Sequence, residues 1–225
     1  MTKLQEIYPM KGVGPPELYL GGDIGHISLN NGEKMYFTGA RKYIDNIVEK
    51  IENLTKTTLR NYNSPMESDL HPELDETPLL GDDKHSIYRM LIGSAQWAVT
   101  LGRFDIAYAV STMARFSALP REGHLKAMMR LFGYLKHHSK GKILYDINEP
   151  FYADMEFADH EWDELYPDAQ EEKDPEDPVP KGKRVIITMF VDADHARDEV
   201  SRRSVTGILG FYNCTPIRWY TKRQA

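Results

Sequence analysis

The stretch "ELYLGGDIGHISLNNGEKMYF" mixes apolar and polar positions in short runs and is broken by Asn31-Gly32, the pair that best tolerates positive φ at a two-residue turn. This predicts a β-hairpin. Thr38 can cap the segment that follows, where Ile44, Ile47, Val48, Ile51 and Leu54 recur at helical spacing. From Thr55 to Asp83 four prolines or glycines stand among polar residues without a period, which predicts a connecting loop. Three helices are expected next. The first runs from about Lys84 to Leu101, with Ile87, Met90, Leu91, Trp97 and Ala98 on one stripe and Gly102 as its stop. The second, capped by Asp105, carries Ile106, Ala109, Val110, Met113 and Phe116 and ends before Pro120. The third covers roughly Arg121 to Lys140, with Leu125, Met128, Met129, Phe132 and Leu135 apolar. Short connections make these three a compact bundle.

After the helices the period disappears. The segment "YADMEFADHEWDELYPDAQEEKDPEDPVPKGK" combines proline, high charge and scattered aromatics and reads as a linker. Beyond it "RVIITMFVD" is apolar on both alternating faces, as in a strand buried between layers. "VTGILGFY" and "IRWYT" follow, with "NCTP" as the turn, giving a three-stranded antiparallel meander. The fold class expected is α+β. It comprises a hairpin and helix over 1–57, a loop over 58–83, a helical unit over 84–145, an acidic linker over 146–182 and a partial sheet over 183–225.

Charge changes this picture only once it is divided along the chain. The total is −6, but twelve Asp or Glu and one Lys lie between Asp154 and Asp177, leaving 27 basic against 22 acidic residues elsewhere. The acidity is local and the rest is mildly basic. No apolar run approaches the ~20 residues that span a bilayer, and "MTKLQEIYPM" has no leader pattern. The expectation is a soluble intracellular chain, cytoplasmic or nuclear, with no membrane partner. One cysteine, Cys214, allows neither an internal disulfide nor a Cys-based zinc cluster, and is expected to be a half-buried strand residue. The histidines show no HExxH or similar spacing and read as surface residues.

"LYLGGDI" with its hairpin and "RKYIDNIVEKI", then "YRMLIGSAQWAVTLGRFDIAYAV" with Pro120, His124 and "YLK", then "VDADHARDEVSRRSVTGILGFYNCTPIRWYTKRQ", resemble in order the Pol polyprotein of copia-type long-terminal-repeat retrotransposons. The last segment is the most specific, because carboxylates, a double arginine, a glycine and a tryptophan fall in one span. Phe104 departs from the pattern where many relatives have proline, and His195 where tryptophan is usual. The resemblance implies the end of a reverse-transcriptase palm with a primer-grip-like hairpin, the thumb and connection, and the first strands of an RNase H domain. It implies RNA–DNA hybrid or primer–template as the partner and Mg²⁺ as the cofactor of the complete parent enzyme.

Cleavage by that route needs two divalent cations held by converging carboxylates. By resemblance Asp192 would bridge both, and Asp194, two residues on along the same side of a strand, would reach an outer water. Without the surrounding pattern two aspartates ending a strand would merely solvate a turn. The further Glu and Asp that the resemblance implies, and the paired aspartates of the polymerase centre, fall outside these 225 residues. The chain alone is therefore expected to hold no stable metal and to be inactive in both reactions. Nucleic-acid contact is the remaining expectation. Lys126, Arg130 and Lys140, with Lys136, His137 and Lys142 nearby, recur along the third helix and could meet phosphates, and Arg202 and Arg203 invite the same reading. A solvated basic face is the alternative. Tyr19 and Leu20 resemble the primer grip, although an apolar pair in a hairpin is more often core. A non-catalytic nucleic-acid-binding or protein-interaction remnant of a retroelement is the other functional reading. Self-association through uncovered strands of the last unit is a further expectation.

Overall fold

The computed structural model describes residues 14–152 and 185–224, with residues 167, 168, 176, 178 and 182 between them. Most of the acidic segment expected to be a linker thus lies outside the described residues. Two short strands open the chain, β1 (Leu18–Tyr19) and β2 (Gly22–Ser28), joined through Leu20 and Gly21, both at positive φ. β2 pairs with β3 (Lys34–Gly39) in antiparallel register, Asp23 opposite Gly39 and Ser28 opposite Lys34. The connection between them is longer than the two-residue turn expected. Only Gly32 takes positive φ there, so Leu29 to Glu33 form the loop, held by the Gly32 N–H on the Leu29 carbonyl and the Asn31 side chain on Glu33.

Helix α1 (Arg41–Thr55) buries Ile44, Ile47, Val48 and Ile51, an i, i+3, i+4, i+7 stripe, and leaves Leu54 exposed. Thr38 does not cap it, being within β3. The Asp23 carboxylate on β2 accepts the Lys42 N–H at 3.1 Å instead, which supplies an N-cap from the sheet. Helix α2 (Asp82–Thr100) buries Tyr88, Leu91, Ile92, Ala95 and Ala98. Trp97, expected in its core stripe, is 40% exposed, because the buried face is rotated toward Tyr88, whose hydroxyl donates to the Met113 carbonyl at 2.7 Å. Helix α3 (Ala107–Ala114) follows a 3₁₀ turn, and α4 (Glu122–His137) buries His124, Met128, Leu131, Phe132, Gly133 and Leu135. Asp105, expected as a cap, instead takes Arg103 and Tyr134.

These four helices share one apolar core, so α1 packs with the bundle rather than apart from it. A short strand β4 (Lys142–Leu144) returns to pair with β3, closing a sheet of order β1-β2-β3-β4. The aperiodic segment 58–83 is packed, not loose. Leu59 is buried, Met66 and Leu80 touch the core, and Thr77 caps α4 by accepting the Gly123 N–H at 2.9 Å. Its backbone groups are satisfied by side chains and short turns, which leave no period for a sequence to show.

The last unit is a meander of β5 (Ile187–Ala193), β6 (Val205–Tyr212) and β7 (Thr215–Arg223). Asn213 and Cys214 form the β6–β7 turn, with Asn213 at φ 51°, a conformation asparagine tolerates. Cys214 is therefore a half-buried turn residue rather than a strand residue. Pro216 lies inside β7 beside an irregularity at Gly210/Phe211, as suits a proline on an edge strand. β5 is not buried between layers. Ile187, Met189 and Val191, on one face of the strand, are each more than half exposed. The opposite face, with Phe190, Leu209 and Trp219, turns to the helices. There Trp219 donates its indole N–H to the Val99 carbonyl at 3.1 Å and lies 5.6 Å from Phe104 between ring centroids. Phe104 thus fills a docking contact that proline could not make in the same way.

Candidate nucleic-acid interface

The β1–β2 turn has its two central residues at φ 50° and 88°, the pattern of a type I′ hairpin. Glycine or asparagine normally occupies such positions, since a left-handed conformation costs a residue with a Cβ about 1–2 kcal/mol. Leu20 occupies the first of them. Tyr19 is 68% and Leu20 66% exposed, with Leu18 beside them and Trp97 close against Gly21. The core interpretation of this pair is therefore removed, and an apolar tip held in a strained turn remains.

Asp192 and Asp194 line a cleft of about 710 Å³ between the second sheet and the helices, together with Tyr108, Arg197 and Trp219. Asp192 is exposed and opposite Gly207, and its carboxylate accepts the neighbouring Ala193 N–H at 2.8 Å. Asp194 accepts the Val205 N–H and donates its own N–H to the Val205 carbonyl, so it closes the β5–β6 connection. Asp192 has the character of a hard-cation ligand. Among the described residues, however, no three His, Cys, Asp or Glu are placed to hold a metal ion, and Asp194 is engaged elsewhere. The residues present here do not by themselves fit a metal pair.

The basic residues divide into separate places. Arg130 donates to Glu67 and Ser64, each at 3.1 Å, and its guanidinium lies 4.5 Å from the Tyr62 ring centroid. Lys136 is taken by Glu52 at 2.8 Å, which holds the Glu52 carboxyl below its ordinary range. Lys126 is exposed near Arg130 on the rim of a cavity. Lys140 joins Arg41, Lys42 and Lys142 around a different cleft, which also contains Glu17, Asp23 and Asp45. Arg202 and Arg203 are exposed on the β5–β6 connection, with Arg202 at φ 53°. The third helix therefore does not present one continuous basic face.

Two groups escaped the sequence reading. His124, read as a surface residue, is buried. Its Nδ1 accepts the Arg121 N–H, so Nε2 carries the proton and donates to the Pro72 carbonyl at 2.8 Å. Asp198, buried on the β5–β6 connection, is bound by Ser201, Arg115 and Arg223 and ties the second sheet to the end of α3. Gly123 beside His124 marked a close approach, whereas the charged stretch around Asp198 gave no sign of burial.

Neither a family model nor a solved structure matches the chain. Its likeness is to curated sequences. It is 23% identical over 225 residues to the retrovirus-related Pol polyprotein from transposon TNT 1-94 of Nicotiana tabacum, covering 98% of this chain and 14% of that one. It is 31% identical to a putative transposon Ty5-1 protein of Saccharomyces cerevisiae, over 98% of this chain and 58% of the relative. To an uncharacterized mitochondrial protein of Arabidopsis thaliana it is 24% identical, over 99% and 73% respectively. An exposed apolar hairpin and a strand ending in aspartates thus occur in a chain similar along nearly its whole length to transposon-encoded polyproteins. This protein is a relative of the retrovirus-related Pol polyproteins of retrotransposons and corresponds to a part of such a polyprotein.

Proposed function

We propose that the chain is the part of an RNA-directed DNA polymerase that grips the primer–template duplex through the β1–β2 tip and begins the RNase H fold with β5 to β7. The observation that carries this reading is Leu20, a large apolar residue kept exposed in a left-handed turn conformation. Structure alone would favour glycine there, so a contact made by the side chain accounts for the strain. Leu20→Gly is therefore expected to stabilise the chain by about 1 kcal/mol while weakening its binding to a short RNA–DNA hybrid. Urea unfolding and fluorescence anisotropy read the two effects separately. A variant that is more stable and binds as well as the wild type would remove the grip from this hairpin.

Catalysis is not assigned to this chain alone, because among the described residues the carboxylates do not converge. With Mg²⁺ or Mn²⁺ the 225 residues should neither extend a primer nor cut a hybrid above background. Cleavage abolished by Asp192→Asn would show that fewer ligands suffice.

The exposed face of β5 supports self-association of the chain, since β5 is an edge strand carrying Ile187, Met189 and Val191 outward. The expected result in light scattering is a mass that rises with concentration and returns to that of the monomer in Met189→Lys/Val191→Lys. A concentration-independent monomer would contradict it.

A further inference from the structure

Of the two edges of the second sheet, one is protected and the other is not. β7 carries Pro216, Arg218, Lys222 and Arg223, and its pairing is irregular at Gly210/Phe211, the devices by which an edge strand resists pairing with another chain. β5 has none of them. Ile187–Ala193 contains no proline, lysine or arginine, and its register with β6 runs unbroken from Ile187 opposite Tyr212 to Ala193 opposite Thr206. Among the described residues no strand pairs with its outer edge. The edge strands of the first sheet, β1 and β4, are only two and three residues long.

The ladder with β6 fixes which backbone groups the β5 edge offers. The Asp194 N–H donates to the Val205 carbonyl and the Ile186 carbonyl accepts the Asn213 N–H, so the even-numbered residues turn their backbone groups toward β6. Those of Ile187, Met189, Val191 and Ala193 point the other way. The Ala193 N–H is already taken by the Asp192 carboxylate at 2.8 Å, which leaves three complete donor–acceptor residues, Ile187, Met189 and Val191. The same three carry the most exposed apolar side chains of the strand. Three apolar residues at alternate positions read the same in both directions, so a matching complement is the same strand run antiparallel.

We propose that a second copy of the chain pairs with β5 about a twofold axis at Met189, joining the two three-stranded meanders into one continuous sheet. Met189 lies opposite Met189 of the partner subunit, and Ile187 opposite Val191 of the partner subunit. About six backbone hydrogen bonds close the seam, two for each bonded pair. Other registers fit less well. Moving the axis to Phe190 sets Ile187 against Ala193, whose N–H is taken, and moving it to Thr188 sets Val191 against Val185, which precedes the strand. Moving it to Asp192 opposes two carboxylates. Three pairs make a small contact beside the ~1,200–2,000 Å² of lasting interfaces, so the dimer forms reversibly as concentration rises. This rests on the self-association proposed above and adds its register.

The test is disulfide trapping of the whole chain in a Cys214→Ser background, at concentrations where light scattering follows the mass. Residues opposite each other in a bonded pair are about 5.5 Å apart between Cα atoms, within disulfide reach. Met189→Cys should therefore give a disulfide dimer by itself on non-reducing electrophoresis. Ile187→Cys and Val191→Cys should not, since each stands four residues out of register with its own copy, about 14 Å at 3.4 Å per residue. An equimolar mixture of those two should give roughly tenfold more dimer than either alone, because the mixture alone brings two cysteines into reach. Amide exchange of the wild type gives a second reading that needs no variant: the N–H groups of Ile187, Met189 and Val191 should slow as concentration rises. A rising mass with a different crosslinking pattern, such as dimer from Val191→Cys alone, or with those amides unchanged, overturns the register and leaves the self-association standing. A mass that does not rise overturns both.

Discussion

Asp198→Ala is expected to cost about 3 kcal/mol and to loosen the second sheet from the helices. The carboxylate is buried, accepts the Ser201 N–H at 2.7 Å, pairs with Arg115 just beyond α3 and has Arg223 of β7 at 3.5 Å. Removing it strands Arg115 and the Ser201 N–H with nothing to replace the charge. Breaking a buried pair from one side costs ~3–5 kcal/mol, and the lower end applies because Arg115 and Arg223 keep some solvent. Burial pushes the Asp198 carboxyl up, but the Ser201 and Arg115 interactions outweigh it and hold the group well below the usual carboxylate range. A depressed folded value means that this stability is fully present above the unfolded value of ~3.9 and is lost as pH falls through the folded one. The wild-type contact should therefore persist at pH 4 and fail only in stronger acid. Hydrogen exchange at pH 7 should show faster exchange across 185–224 in Asp198→Ala, with α1, α2 and α4 unchanged. Equal exchange in both proteins would mean that Trp219 and its neighbours hold the sheet without the ion pair.

Gly133→Ala should destabilise the chain by about 2–3 kcal/mol, as overpacking of a filled core does. A Cβ there would stand 2.1 Å from the Arg60 carbonyl oxygen and 2.8 Å from the Tyr62 ring, so backbone must move. Helix propensity alone predicts the opposite sign, a gain of roughly 0.8–1 kcal/mol. Gly93 provides the comparison. It is exposed within α2 with nothing within 4 Å of the added carbon, and Gly93→Ala should give that gain. Urea unfolding of both variants separates close packing from propensity. A stabilised Gly133→Ala would show that the 58–62 segment is free to shift.

Glycine positions also carry information about the packing. The helices were legible because Ile44, Ile47, Val48 and Ile51, or Met128, Phe132 and Leu135, repeat at the helical period and are buried. The strands of the meander were legible from apolar runs bounded by turn residues. Rotational phase was not, because Trp97 lies next to the true stripe and apolarity alone does not say which neighbour faces inward. The packed character of 58–83 was hidden because side-chain caps such as Thr77 and turns such as Asp75–Thr77 leave no period. Gly123 and Gly133 inside a predicted helix marked where that segment comes close. Of the candidate site residues, the exposure of Tyr19 and Leu20 could not be read from an apolar pair in a hairpin. The use of Arg130 and Lys136 within the fold could not be read from a row of basic residues, since their partners Glu67 and Glu52 are distant in sequence.

Photocrosslinking tests the grip most directly, using the whole chain and an RNA–DNA hybrid with a photoreactive base near the primer terminus at low salt, where phosphate contacts are strongest. Crosslinked peptides mapped by mass spectrometry should fall on the β1–β2 tip, at Tyr19 and Leu20, and disappear as salt rises or when Tyr19→Ala is combined with Leu20→Gly. Crosslinks confined to other surfaces, or tip crosslinks unchanged in the double variant, would contradict the account.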